Sequence, residues 1–194
     1  MILSITGPSG VGKTTLLHNL LQKIPEAQPL TSYTTREPRP SDEPGEYVYV
    51  SHDEFDRMAK SGAFLWEART YVNRYGTKKE DIDRALSSGF YMPVLVIDAV
   101  KKLYEYAHST HRENQARYMY IFIDDEAELR KRFKERGDAP GETEVRIQEC
   151  RDWNAKAAKS GVPFIYLQAT KKREDILADA LSYITPSQTS TLKM

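Results

Sequence analysis

Gly7-Pro8-Ser9-Gly10-Val11-Gly12-Lys13-Thr14 reads G-x-x-x-x-G-K-T. It follows Ile2-Leu3-Ser4-Ile5, a short apolar run of strand type. It precedes Thr15-Leu16-Leu17-His18-Asn19-Leu20-Leu21, whose apolar residues recur at helical spacing. Strand, glycine loop and helix in that order form a phosphate cradle. Glycines at Gly7, Gly10 and Gly12 keep side chains away from the backbone, so that N–H groups can close on an anion at the positive end of the helix. Lys13 adds a mobile charge for the outer phosphates. Thr14 offers a hydroxyl to Mg²⁺, an ion that keeps most of its water shell. The whole run 7–14, including Pro8, Ser9 and Val11, is therefore the expected site of a nucleoside triphosphate.

Outward from this loop, the pattern is helices alternating with apolar strands. The first strand is expected over 1–6 and the first helix over 14–24, stopped by Pro25. Three prolines between 38 and 44 exclude a helix there, and Gly45 to Val50 reads as a strand with tyrosine and valine on opposite faces. Ser51-His52-Asp53-Glu54 is a capping box for a helix ending near Gly62, and Thr77-Lys78-Lys79-Glu80 is a second, for a helix closed by Gly89. Between them, 63–75 is expected as extended chain. Val94-Leu95-Val96-Ile97-Asp98 has the character of a buried parallel strand, with a helix over 99–107 behind it. Tyr118 to Ile123 is a further core strand, then a basic helix to about Arg136. A turn-rich break at 137–142 precedes a long helix over 143–159, a last strand at 164–167 and a last helix at 172–184. This is an α/β chain with a parallel sheet and helices on both faces. The segment 32–80 interrupts the alternation as a mostly β flap, the stretch of about 137–145 is a candidate lid, and 186–194 is a loose polar tail. The core is then 1–31 with 81–185.

The chain has 194 residues, with 28 Lys plus Arg against 28 Asp plus Glu. A formal net charge of zero argues against a general nucleic-acid or membrane-surface binder. Cys150 is the single cysteine, so no internal disulfide forms and a reducing compartment fits. No apolar run approaches the ~20 residues of a membrane span. The N-terminus is used at once as strand and loop, so no signal peptide is expected and a cytoplasmic setting is. His18, His52, His108 and His111 lack metal-ligand spacing, Cys150 is a helix filler, and Trp153 is packing.

Arg36 and Arg39 lie three apart in the proline-stiffened stretch, beside Ser32, Thr34 and Thr35. Two guanidinium forks in a stiff loop suit a dianionic phosphate. Tyr47 and Tyr75 can add hydroxyls.

In order and spacing, Ser32-Tyr33-Thr34-Thr35-Arg36-Glu37-Pro38-Arg39, Gly45-Glu46-Tyr47-Val48-Tyr49, Arg74-Tyr75-Gly76-Thr77 and Ile97-Asp98 resemble the guanylate kinase family. The resemblance covers about 1–185 and is strongest over 4–98. It implies a P-loop NTPase fold and Mg²⁺-dependent transfer of the terminal phosphate of ATP to GMP, with dGMP as a second acceptor. It also implies that Ser32 reads the guanine edge, that Arg36, Arg39, Tyr47 and Tyr75 grip the GMP phosphate, and that Thr77 and Asp98 complete the pocket. Lys13 and lid arginines, Arg136 with Arg146 or Arg151, would neutralise the moving phosphoryl group. The partners are then the nucleotides alone, with no nucleic acid or membrane, on a monomer or homodimer.

The chain departs from that family at several points. Where the family has Leu-Glu-Trp-Ala, whose acid accepts from the guanine ring, this chain has Leu65-Trp66-Glu67-Ala68. Exchange of two neighbours on a strand turns the carboxylate to the opposite face. Either a bulge restores Glu67 or guanine is read differently. Only Asp98 remains of the usual Asp-x-Asp. The exchange motivates a second reading, a kinase of the same fold for another nucleoside monophosphate or a sugar phosphate. A third is a non-catalytic guanylate-kinase-like interaction module, but such modules have typically lost the phosphate loop that stands intact here.

Overall fold

The computed structural model describes residues 1–184 apart from 41, 43, 71 and 171. The tail at 186–194 lies outside the described residues. Nine strands and seven α-helices follow one another among them. The contacts divide the chain into two compact units, one of 1–4 with 25–118 and one of 5–24 with 119–194. These boundaries differ from a core of 1–31 with 81–185 around a flap at 32–80.

The first unit holds part of a parallel sheet and the whole of a smaller one. In the parallel sheet, β1 (Ile2–Thr6) and β2 (Ala27–Gln28) flank β7 (Phe90–Tyr91). Ile2 pairs with Tyr91, and Ala27 with Phe90. The smaller sheet has the order β4-β3-β6-β5, with β3 at Ser32–Thr34, β4 at Tyr47–Tyr49, β5 at Phe64–Thr70 and β6 at Asn73–Lys78. Here β3 and β4 are parallel, while β6 runs antiparallel to both β3 and β5. Helix α2 (His52–Lys60) starts where its capping box requires, the Ser51 side chain accepting from the Glu54 N–H. Phe55 on this helix is fully buried and stacks at 4.7 Å on Phe64.

Two expectations in this unit are overturned. The apolar run at 94–98 is not a strand. Gly89, at a φ of 79°, ends α3 (Lys79–Ser87) and turns the chain into the sheet at once, so β7 is Phe90–Tyr91. The run then passes an extended Val96 into α4 (Ile97–Ser109), burying Leu95 and Ile97 on the way. A short apolar run has the same appearance whether it is a buried strand or a buried helix entry. The capping box at Thr77 also fails. Lys78 caps α3 without a side-chain bond, because Thr77 is still in β6 and its hydroxyl is within hydrogen-bonding distance of Ser32 Oγ, 3.1 Å away.

In the second unit, the part of β8 (Ala116–Phe122) from Met119 on runs parallel to β9 (Ile165–Gln168), with Met119 opposite Ile165. The whole five-stranded sheet has the order β2-β7-β1-β8-β9, and Ile5 and Thr6 of β1 belong to this second unit. Helix α1 (Lys13–Lys23) buries Leu16, Leu17 and Leu20. Helix α5 (Glu126–Glu135) is capped by Asp125, which accepts from the Ala127 and Glu128 N–H groups. Helix α6 (Pro140–Lys159) begins three residues before the expected 143. Pro140 at its first position has no N–H to lose and a φ suited to the helix. The break is thus only 137–139, and most of the candidate lid is helix. Helix α7 (Arg173–Ile184) closes the unit.

Candidate active site

The expected site residues gather around two cavities, one inside each unit. The first surrounds the glycine loop. A Cβ on Gly7 would lie 2.2 Å from the Ile121 carbonyl oxygen, and one on Gly10 would lie 2.6 Å from the Phe133 ring. Both also have positive φ, so the loop is closed to other residues by space and by conformation together. Helix α1 has no acid in its first turn, which leaves its positive end open to an anion. Lys13 Nζ donates to the Pro8 carbonyl at 2.7 Å, curling over the loop. Burial pushes its ammonium down to about 8, with the neighbouring Cys150 pulling the other way. Thr14 is exposed beside it.

The lid arginines separate into two groups. Arg146 Nη1 donates to Ser9 Oγ at 3.4 Å, and its Nε lies 3.0 Å from Asp138. Arg136 forks onto the same Asp138. Arg136 and Arg146 are thus joined through one carboxylate at the glycine loop. Arg151 is not brought there. Its Nε donates to Glu126 on α5 at 2.7 Å, and it is exposed. Cys150 is more than a filler, since its buried thiol faces the Ser9 carbonyl at 3.9 Å and packs the loop from behind. Burial pushes that thiol up to about 11.

Beside the loop lies a cavity of about 370 Å³, bounded by Gly10, Gly12 and Thr15, by Arg132 on α5 and by Arg173 on α7. Arg132 is fixed by Glu128 at 2.7 Å and by the Ala169 carbonyl at 2.7 Å. Sequence spacing gave no sign of Arg132 or Arg173, which come from helices far apart along the chain.

The second cavity, of about 190 Å³, lies in the first unit and is lined by Ser32, Tyr47, Trp66, Ala68, Tyr75 and the stretch 94–96. Arg36 stands next to it. Its Cζ sits 4.9 Å over the Tyr47 ring, Nη2 donates to Asp42 at 2.8 Å and Nη1 to the Glu37 carbonyl at 2.8 Å. Burial works against the Arg36 charge, but the Asp42 bond outweighs it and holds the guanidinium ionised. Asp42, which the sequence reading missed, is the anchor of this loop. It also accepts from the Arg39 N–H at 2.7 Å and the Tyr49 hydroxyl at 2.6 Å. Burial alone would raise its carboxyl, but these bonds draw it down to about 2. The signal was present as an acid in the loop that carries both arginines. Arg39 shares this anchor through its backbone, and its side chain is exposed. Tyr47 and Tyr75 meet edge to face at 6.2 Å.

Glu67 is not brought to this cavity. A register shift does occur, but between Phe64 and Trp66. It sends Phe64 onto Phe55 and Gly76 on one face of the strand and Trp66 into the cavity wall on the other. Glu67 follows on the Phe64 side, exposed, and pairs with Arg74 at 3.0 Å. Arg74 in turn lies over the Phe55 ring and pairs with Asp56. Asp98 is exposed in the first turn of α4, flanked by the wall residues Val96 and Ala99, and does not itself line the cavity.

A parallel sheet with a glycine loop feeding a lysine into the head of a helix defines the P-loop NTPase fold. The family model described as "Guanylate kinase" matches residues 1–178. The chain therefore belongs to the guanylate kinase family. Guanylate kinase of Escherichia coli (strain K12) is 43% identical over 88 residues, which is 44% of this chain and 42% of that protein. Guanylate kinase of Salmonella paratyphi A is 36% identical over 138 residues, 69% of this chain and 63% of that protein. The matched stretches thus span about two fifths to just under two thirds of these curated relatives. A crystal structure of guanylate kinase from Anaplasma phagocytophilum shares the fold at a TM-score of 0.68 and 19% identity, covering 98% of this chain and 87% of that one.

Proposed function

We propose that the protein transfers the terminal phosphoryl group of ATP to GMP, and to dGMP, giving ADP and the nucleoside diphosphate. The observation that carries this reading is the pair of separate phosphate grips, Lys13 with Arg146 at the glycine loop and Arg36 anchored by Asp42 beside a second cavity. The glycine loop, 7–14, holds the triphosphate tail. Lys13, Arg136 and Arg146 neutralise charge spread over the moving group. Arg36, Arg39, Tyr47 and Tyr75 hold the acceptor phosphate, with Ser32 and Thr77 on the ring. No strong base is needed, because a phosphate monoester oxygen is already negative near neutral pH.

The donor groups fit Mg²⁺ that arrives with ATP. Among the described residues no cluster of acids, histidines or cysteines forms a metal cage, and Thr14 offers one hydroxyl. Such a site suits an ion that keeps its water and takes phosphate oxygens. Thr14 would hold it, and it would supply charge neutralisation. Among the described residues no helix is long and apolar enough to cross a membrane. A cytoplasmic setting is part of the proposal.

ADP release with ATP and GMP tests the reading. Lys13→Ala is expected to lower kcat by at least ~10²-fold with little change in GMP affinity. Arg39→Ala is expected chiefly to raise the GMP KM. Equal loss of GMP affinity in both contradicts this division. A second reading, another nucleoside monophosphate or a sugar phosphate as acceptor, is favoured by one observation: Glu67 faces away from the cavity and Trp66 faces it.

A further inference from the structure

Asp138 stands in the turn between α5 and α6, and the backbone on either side fixes its place. Gly137, at a φ of 90°, ends α5, and its N–H donates to the Lys134 carbonyl at 3.0 Å. The Asp138 N–H donates to the Phe133 carbonyl at 3.0 Å, which completes a paired closure of the last helical turn. Ala139 then caps α6 and Pro140 starts it. The carboxylate between these two helix ends is 11% exposed.

That carboxylate meets two guanidinium groups. Arg136 donates from Nε to one of its oxygens at 3.1 Å and from Nη2 to the other. Arg146 Nε lies 3.0 Å from this second oxygen. Each arginine is also held elsewhere in the same unit. The Arg136 Cζ lies 5.3 Å over the ring of Phe133, the ring that a Cβ on Gly10 would strike. Arg146 Nη1 donates to Ser9 Oγ at 3.4 Å.

The helix pair does not need this carboxylate to stay closed. Its backbone turn is complete, and two other ion pairs cross from α5 to α6. Arg130 Nη2 donates to Glu144 at 3.0 Å, and Arg151 Nε donates to Glu126 at 2.7 Å. Nor does the carboxylate favour capture of a triphosphate, since it cancels one of the two positive charges beside it. What it does is let two like charges stand side by side with their planes fixed. Fixed cations speed a group transfer when they meet the charge as it moves, so orientation counts for more than attraction.

We infer that Asp138 is a positioning residue, which holds Arg136 and Arg146 as one oriented pair at the glycine loop for phosphoryl transfer and weakens the hold on ATP. This rests on the phosphoryl transfer proposed above.

The test measures kcat and the ATP KM at saturating GMP, with binding of a non-hydrolysable ATP analogue read by calorimetry. Asp138→Ala is expected to lower kcat about 10²-fold, because the arginines lose their orientation. Its Kd for the analogue should be equal to the native value or lower, because a negative charge has gone from beside the polyanion. Damage to the fold would move both quantities in the unfavourable direction. Asp138→Asn keeps the volume and loses the charge, so it gives the same split if the alanine variant does not fold. Asp138→Glu returns the carboxylate and should recover at least tenfold of the lost kcat. In an Arg146→Ala background the loss on Asp138→Ala should shrink to less than tenfold, because one of the two arginines it orients is absent. A kcat within about threefold of native in the folded alanine or asparagine variant overturns the inference, as does a Kd that rises in step with the fall in kcat. An undiminished loss in the Arg146→Ala background overturns it too. A native chain that releases no ADP from ATP and GMP refutes the kinase reading and this inference together, whereas normal native turnover with an indifferent Asp138→Ala overturns the inference alone.

Discussion

Lys13 shows how burial at a single residue sets a pH response. Its folded value of about 8 lies below the ordinary lysine value of 10.5. Between those values the unfolded chain binds more protons than the folded one, so this group's contribution to stability rises with pH across the window. On the proposed function, ATP binding would reverse the preference, because a triphosphate stabilises the ammonium. Above pH 8 the nucleotide must therefore bring a proton with it, and its apparent Kd should rise, by up to about tenfold per pH unit. Calorimetric titration from pH 7 to 9.5 should show the rise in the native chain and a flat profile in Lys13→Met. Asp42 works in the opposite sense. Its carboxyl, at about 2 against an ordinary 3.8, contributes stability that is complete above about 4 and lost as pH falls towards 2. Arg36 and Asp42 are 6% and 13% exposed, so solvent screens the pair little. Asp42→Asn should cost about 1–3 kcal/mol in urea unfolding at pH 7, with the difference shrinking below pH 4. Lys13 was legible because the glycine spacing demands it. Asp42 was not, because an acid in a proline-rich loop looks solvated until its three donors are seen together. Glu67 was legible only as an open question, since strand alternation predicts an outward carboxylate and a bulge can undo it. The bulge exists one step too early to do so.

At the scale of elements, α6 decides which arginine reaches the glycine loop. Arg146 and Arg151 are five residues apart, about 500° of helical rotation, so they leave the helix about 140° apart. They cannot share a target. Arg146 reaches Ser9 and Asp138, and Arg151 reaches Glu126. Arg146→Ala should reduce kcat by at least ~10²-fold with the GMP KM unchanged, while Arg151→Ala should stay within about threefold. A steady-state comparison of the two variants checks this, and equal losses would refute the assignment. The helix itself was readable from sequence, but its start was not. Pro140 looks like a break, yet a proline at a first helical position is stable there. The misplaced strand at 94–98 has a related cause: apolarity reports burial, whereas the sheet position was fixed by Gly89 turning the chain early. Side-chain caps at Ser51 and Asp125 mark the starts of α2 and α5, and both residue types are legible in the sequence.

On the scale of the molecule, each of the two cavities proposed to hold a nucleotide is built wholly from residues of one compact unit. The walls beside the glycine loop come from 10–19, 121–135 and 173–176, and those of the second cavity come from 32–99. A ligand that binds one cavity orders the groups it touches, and local openings of the backbone around it become rarer. The two ligands should therefore leave separate footprints in amide hydrogen exchange. A non-hydrolysable ATP analogue alone should slow exchange over 7–20 and over α5 and the first half of α6. GMP alone should slow exchange over 32–39, β5 and β6. Protection at saturation can reach RT ln(1 + [L]/Kd), about 2.7 kcal/mol at a hundredfold excess over Kd, or about a hundredfold slower exchange. Lys13→Met should erase much of the first footprint and leave the second intact, because its ammonium touches only its own unit. If GMP alone slowed exchange chiefly over 7–20, the acceptor would be binding at the glycine loop, and the assignment of Arg36 and Arg39 to its phosphate would fail.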